Sequence, residues 1–223
     1  MADSVPHAGS PHAPLLPPLA GQGAIDVLVV AATARELAPP AGWRTLRCGV
    51  GPVEAAVSTA SALATHRPAL VLHVGIAGAR TAAGLQPGTL VIGASAVYHD
   101  LMSLPAEWAT RTVGAHPLLV AAARRALPDA VVAEIGTSAR VGGTLDGEQA
   151  PMPVEAMEGF AVLRAAQEAG VPALEVRAIS NAIEEPDRAR WEFERAFTAI
   201  TVATPTLVMA LAAAVASGGS AHD

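Results

Sequence analysis

Lysine is absent from the 223 residues, and all 14 basic side chains are arginine. A bias toward GC-rich codons produces this as readily as any function does, so it points to no mechanism. Cysteine is nearly absent: Cys48 alone rules out an internal disulfide framework and a cysteine-based zinc site. Aromatic residues make up only 3% and charged residues 15%, so the core must be built from Ala, Val, Leu and Ile rather than from rings. A net charge of −6 argues against a general nucleic-acid binder, which shows a basic face. It leaves open a small organic ligand that needs no phosphate neutralisation. No basic start followed by an apolar stretch marks a secretory signal. Met1 to Pro18 instead carries five prolines and two histidines. Residues 1–22 read as a disordered or irregular extension, with no fixed metal geometry expected of the histidines. The segment Ala203 to Ser217 is apolar but reads as too short to span ~30 Å of hydrocarbon, hence as a buried helix. The expectation is a cytoplasmic protein with no membrane partner.

What is abundant is apolar: 52% of the chain. Continuous β-branched runs predict strands buried on both faces at Ile25–Ala32, Ala69–Val74, Thr89–Val97, Val131–Thr137 and Pro172–Ile179, with a short strand over Leu46–Val50. Arg140–Thr144 offers a further extended segment. Helices are predicted over Val53–His66, Leu118–Ala126, Val154–Ala169, Trp191–Ile200 and Pro205–Ala216. Pro52 suits a helix start and Gly170 a helix end. Alternating strands and helices predict an α/β fold, a three-layer single domain over residues 23–217 with a central mixed β-sheet flanked by helices and a flexible tail at 218–223. No internal repeat is visible.

In such sheets ligands sit at the carboxyl ends of the strands, so polar residues that follow apolar runs are the candidates. Gly75-Ile76-Ala77-Gly78 reads as a turn that either cradles an anion or sugar edge with its N–H groups, or is a structural turn only. Neither GxxxxGK[ST] nor a GxGxxG in strand-to-helix context occurs, which disfavours P-loop and dinucleotide-binding folds. Glu158, among Ala156, Met157, Gly159 and Phe160, is either a solvated first-turn acid or a buried acid that faces a site and binds hydroxyl groups. Asn181, after Ser180, is a turn former or a ligand contact. Glu36 is a loop acid or a catalytic one. Taken together, two carboxylates and an amide at one sheet edge suit N-glycosidic bond cleavage. One acid activates water, one binds the sugar, and a polar group steadies the leaving base.

The segments VLVVAATARELAP (27–39), CGVGPVEAAVSTASAL (48–63), HVGIAGA (73–79), LQPGTLVIGASAVYHD (85–100), VEAMEGFAV (154–162) and VRAISN (176–181) resemble the nucleoside phosphorylase/nucleosidase superfamily. That group includes the methylthioadenosine/S-adenosylhomocysteine nucleosidases and the futalosine hydrolases, and AATxxE, EAMEGFAV and the Asn of AISN lie nearest the latter. The resemblance implies a nucleoside phosphorylase-like fold and hydrolysis of futalosine to hypoxanthine and dehypoxanthine futalosine, a step toward menaquinone. It implies Glu36 beside the attacking water, Glu158 on the ribose hydroxyls with Met157 packed on the sugar, and Asn181 at the base, where adenine-specific nucleosidases carry Asp. Ile76, Ala77, Gly78, Ser180 and Arg177 complete the implied substrate-binding set, with Arg177 close behind the site. No metal or organic cofactor is implied, because hydrogen bonding activates the leaving group. The partners implied are a nucleoside with a 6-oxopurine base and further copies of the chain as a homo-oligomer, consistent with so apolar a composition.

The Asn carries the base preference. An amide offers an N–H donor to a C6 carbonyl and an acceptor to N7–H, where a carboxylate would face a lone pair. Glu36 repels phosphate and favours water as nucleophile; Arg35 and Arg80 keep a phosphorolytic alternative open. A methylthioadenosine-type nucleosidase and a non-catalytic nucleoside-binding protein are the other readings. Thr144–Pro153 is shorter than the family's stretch before MEG, and Tyr98-His99-Asp100 has no assigned step.

Overall fold

The computed structural model describes residues 25–141 and 152–219. The N-terminal extension with its histidines, most of the short 144–153 stretch and the last four residues lie outside the described residues.

Among the described residues, eight strands share one mixed sheet. They are β1 (Val27–Ala31), β2 (Arg44–Arg47), β3 (Leu70–Ala79), β4 (Leu90–Tyr98), β5 (Thr112–Gly114), β6 (Val131–Thr137), β7 (Val154–Ala156) and β8 (Ala173–Ala182). β3 pairs with β8, β8 with β4, β4 with β6, β6 with β7, and β7 returns to the far end of β3. These five strands close into a ring. β1 and β2 extend the sheet from the first half of β3, and β5 pairs with β4. The α-helices among the described residues are α1 (Pro52–Thr65), α2 (Pro117–Ala126), α3 (Gly159–Glu168) and α4 (Phe193–Gly219).

The long apolar runs of β1, β3 and β8 exist because both faces of these strands are covered. In β1, Val27, Val29 and Ala31 point into a core shared with α2 and α4, where Leu119, Ile200 and Leu207 are fully buried. Leu28 and Val30 point the other way, toward Leu63 of α1 and Leu163 of α3. A third cluster, with Ala77, Val91, Ile135 and Ile179, is carried by the strands of the ring.

Four expectations need correction. Gly75-Ile76-Ala77-Gly78 is not a turn but the second half of β3, paired to β8 throughout. Val154–Ala169 is not one helix: Val154–Ala156 is the strand that closes the ring, and α3 starts only at Gly159. The two C-terminal helices are one, running through Pro205 and two residues into the expected tail. Pro205 is exposed, and Ala196, Ile200, Ala203, Thr204, Leu207 and Leu211 keep one buried stripe unbroken across it; tertiary packing outweighs the lost backbone bond. At 27 residues α4 is long enough to cross a bilayer, so the length argument fails. Its place is set instead by packing against β3, β8 and α2.

Candidate active site

The cavity opens where β1, β3, β7 and β8 end. It encloses about 280 Å³, walled by Glu36, Ile76, Met157, Glu158, Asn181 and Phe197 among others. The five buried Glu and Arg side chains among the described residues all gather here: Glu36, Glu155 and Glu158 on the wall, Glu175 and Arg177 behind it. The expected substrate-binding residues Ala77, Gly78 and Ser180 also line the wall, but Arg177 does not. Its guanidinium lies beneath the acids and bonds to Glu158 and Glu175.

Glu36 ends a 3-10 turn, Ala34–Glu36, directly after β1. Thr33 donates its N–H and its hydroxyl to Glu36 Oε2 at 2.8 and 2.7 Å, and the Ile76 N–H donates to Oε1 at 3.2 Å. The N–H of the glycine-rich segment thus serves a carboxylate of the protein rather than a bound anion. Burial pushes the Glu36 carboxyl above its ordinary value and nearby Glu158 adds to this, while Arg177 and the Thr33 donors pull it down.

Glu158 is the N-cap residue of α3. Its two readings resolve in favour of the buried acid. Oε1 accepts from the Gly51 N–H at 3.1 Å and Oε2 from Arg177 Nη2 at 3.2 Å. Arg177 also donates through Nε to Glu175 at 2.7 Å and through Nη1 to the Ile76 carbonyl at 3.4 Å. His73 Nδ1 lies 3.0 Å from the Val30 carbonyl, which only accepts, so Nδ1 carries the proton. Nε2 is then the acceptor, 2.5 Å from Arg177 Nη2. Burial and the guanidinium hold His73 well below the ordinary histidine range, so it stays neutral. A side chain at Gly75 would displace this packing: a Cβ there would meet Arg177 Nη1 and stand 2.8 Å from Glu36 Oε1.

A bulge places the amide. β3 and β8 stay in register up to Ala77 opposite Ile179, after which Gly78 faces Asn181 and Ser180 is the extra residue. Ser180 Oγ lies 2.7 Å from Asn181 Oδ1, and Asn181 Nδ2 donates to the Ala182 carbonyl at 2.9 Å. Asn181 is therefore a strand residue on the cavity wall, not a turn former.

Several wall residues were not anticipated. Trp191, Phe193 and Phe197 line one side, three of only seven aromatic residues in the chain. Their clustering over seven positions was the available signal. Glu175 and His73 were masked by the apolar strands that carry them, although a charge inside ALEVRAIS was itself a signal. Arg35 pairs with exposed Glu194 and lies over the Phe197 ring at 4.5 Å. Arg80 pairs with Glu155 at 3.2 Å. Neither lines the cavity. Tyr98, His99 and Asp100 lie off it as well; Asp100 accepts from Ser138 Oγ and the Ala139 N–H, both at 2.8 Å, and so ties down the chain before Arg140 and Val141 at the wall.

Burial also makes a pH prediction. Glu36 and Glu175 are both held above the ordinary carboxyl value of 4.5, so the folded chain keeps protons that the unfolded chain releases. Their contribution to stability is fully present below that value and is lost as pH rises through the folded values. Glu36→Gln removes one such group. The Tm of the variant minus that of the wild type is expected to grow between about pH 4 and about pH 8, by scanning calorimetry. A difference that stays flat over that range would contradict the burial of an ionisable Glu36.

Residues 45–214 match the Phosphorylase superfamily. The futalosine hydrolase of Streptomyces coelicolor is 38% identical over 197 residues, covering 77% of this chain and 81% of its own. The solved futalosine hydrolase of Helicobacter pylori superposes with a TM-score of 0.72 at 16% identity, over 85% of this chain and 99% of its own. The methylthioadenosine/S-adenosylhomocysteine nucleosidase of Colwellia psychrerythraea, solved with adenine, gives a TM-score of 0.69 at 22% identity, over 86% and 96%. The two structural likenesses speak for the nucleosidase fold, and the sequence matches carry the assignment further: the chain belongs to the phosphorylase superfamily and, within it, to the family of the futalosine hydrolases.

Proposed function

We propose that the chain hydrolyses the N-glycosidic bond of futalosine and releases hypoxanthine. The observation that carries this reading is the pair of oriented, buried carboxylates, Glu36 and Glu158, on one cavity beside which Arg35 pairs with Glu194 and Arg80 with the wall acid Glu155. As the C1′–N9 bond breaks, its electron pair leaves with the purine, which takes up a proton at N7 from solvent water, and the sugar becomes oxocarbenium-like. Water adds at C1′ and gives a proton to Glu36, whose raised affinity for protons suits a general base. Glu158, with Met157 beside it, accepts from the ribose hydroxyls. Ile76, Ala77, Gly78 and Ser180 close the sugar and base walls.

Asn181 selects the base. An amide has two N–H donors and two lone pairs on oxygen. One N–H is committed to Ala182 and one lone pair to Ser180. One donor and one lone pair are left, matching the C6 carbonyl and the N7–H of departing hypoxanthine. Adenine, with an amino group at C6, would set donor against donor. Two outcomes are expected when the purified chain meets futalosine, inosine and methylthioadenosine, with and without phosphate, and free base is followed by chromatography. Hypoxanthine appears from futalosine without phosphate, and Asn181→Asp lowers that release on the order of 10²-fold or more relative to adenine release. Strict phosphate dependence selects a phosphorylase instead, and binding without release selects a non-catalytic binder.

The same reading includes a homo-oligomer. α1 and α3 together present an apolar groove bordered by Val53 and Val57, which are 70% and 57% exposed. Val50 joins this face to the cavity wall. A second copy seated on it would bury these valines, and at ~25 cal/mol per Å² such a face contributes to association. Val53→Arg is expected to lower the sedimentation mass of the wild-type species; a wild-type chain that sediments as a monomer refutes this part.

A further inference from the structure

Glu175 is fully buried, does not reach the cavity, and has a carboxylate oxygen, Oε2, with no hydrogen-bond partner. A buried acid with an unserved oxygen is costly, so its position needs a reason. Two contacts supply one. Its Oε1 accepts from Arg177 Nε at 2.7 Å, and the other end of that guanidinium donates to Glu158. On the opposite side the carboxylate presses on Gly159, the first residue of α3: a Cβ there would lie 2.1 and 2.3 Å from its two oxygens. Gly159 follows Glu158 directly, so Glu175 touches both the group that holds the Glu158 side chain and the backbone that carries it.

We propose that Glu175 is a positioning residue for Glu158, fixing the sugar-facing acid through Arg177 from the side chain and through Gly159 from the backbone, with Gly159 kept free of a side chain to admit the carboxylate. This rests on the nucleosidase reading of Glu158. The negative charge sets the guanidinium at the height where Nη2 meets Glu158. The start of α3, where backbone N–H groups face outward from the helix, favours an acid at that spot. Without Glu175 the guanidinium is held only by Glu158, His73 and the Ile76 carbonyl, and is free to settle toward the cavity acids. Displacing an oriented group by about 1 Å costs up to ~10²-fold in rate.

The test is a cycle on the full chain. Wild type, Glu175→Gln, Glu175→Val, Gly159→Ala and Glu175→Val/Gly159→Ala are assayed on futalosine, and Tm is read on the same samples. Glu175→Gln keeps the shape and the bond to Nε without the charge. It is expected to hold Tm within about 3 °C while kcat/KM falls about tenfold. Glu175→Val is expected to lose more activity, so that Gln is a partial rescue. Gly159→Ala is expected to lower Tm by about 5 °C in the wild type and by much less in the Glu175→Val background. Wild-type kcat/KM in both Glu175 variants overturns the positioning role. An equal Tm cost of Gly159→Ala in both backgrounds overturns the packing. A wild-type chain that releases no base overturns the nucleosidase reading itself; the Tm cycle still decides, independently, whether Glu175 and Gly159 act as one unit.

Discussion

The site depends on one buried cation. Arg177 sits in the middle of β8 with its guanidinium shut away from water, and everything around it is arranged to keep it charged and still. Glu175 and Glu158 accept from it, neutral His73 offers a ring nitrogen, and the Ile76 carbonyl accepts a further N–H. Taking an arginine and its acids out of water costs several kcal/mol per ion, and such pairs seldom add net stability over a well-packed apolar replacement. What they supply is orientation. Glu158 has one oxygen on Arg177 and the other on the Gly51 N–H, so its carboxylate plane is set from two directions. The arrangement reaches into neighbouring elements: the guanidinium and Glu36 occupy the space that a side chain at Gly75 would take.

Topology brings the remaining parts to the same place. Glu36 follows β1, Glu158 follows β7, and Asn181 lies near the end of β8. These elements are far apart in sequence and meet because β3 is long enough to pair with β1 along its first half and with β7 at its end. The bulge at Ser180 then shifts β8 by one residue, just where the amide is needed. Strand alternation alone would put Arg177 and Asn181 on one face. The extra residue lets the first lie behind the acids while the second stands on the cavity wall.

How much of this the amino-acid sequence carries differs by element. The apolar runs of β1, β3, β4 and β8 are legible because both faces are largely covered, and Glu36 and Glu158 stand out because charge is scarce. The second half of β3 is not: two glycines in GIAG signal a turn by local chemistry, whereas their cause is close approach by side chains from β8 and the 3-10 turn. β7 is hidden for a similar reason. VEA followed by a helical pattern reads as helix, and only pairing to β3 and β6 makes it a strand. Pro205 splits α4 on propensity, yet the buried stripe on either side of it holds the helix together. Each miss is a place where a tertiary contact overrides a local preference.

The charge pattern explains why water rather than an anion is the fitting nucleophile. Three carboxylates, Glu36, Glu155 and Glu158, stand on the wall against one exposed cation, Arg140, while Arg177 is buried beneath and shared among acids. Arg80 is turned onto Glu155, and Arg35 onto Glu194. A phosphate entering here would lose its hydration and meet like charge in a medium that screens poorly. A water molecule suffers neither penalty. It needs only an acceptor for its proton, and the carboxyl that offers one is the acid that burial makes more basic. The oxocarbenium-like sugar, in contrast, gains from the same negative surroundings. A cavity that repels an anionic nucleophile is therefore also one that stabilises the cationic transition state of the hydrolysis.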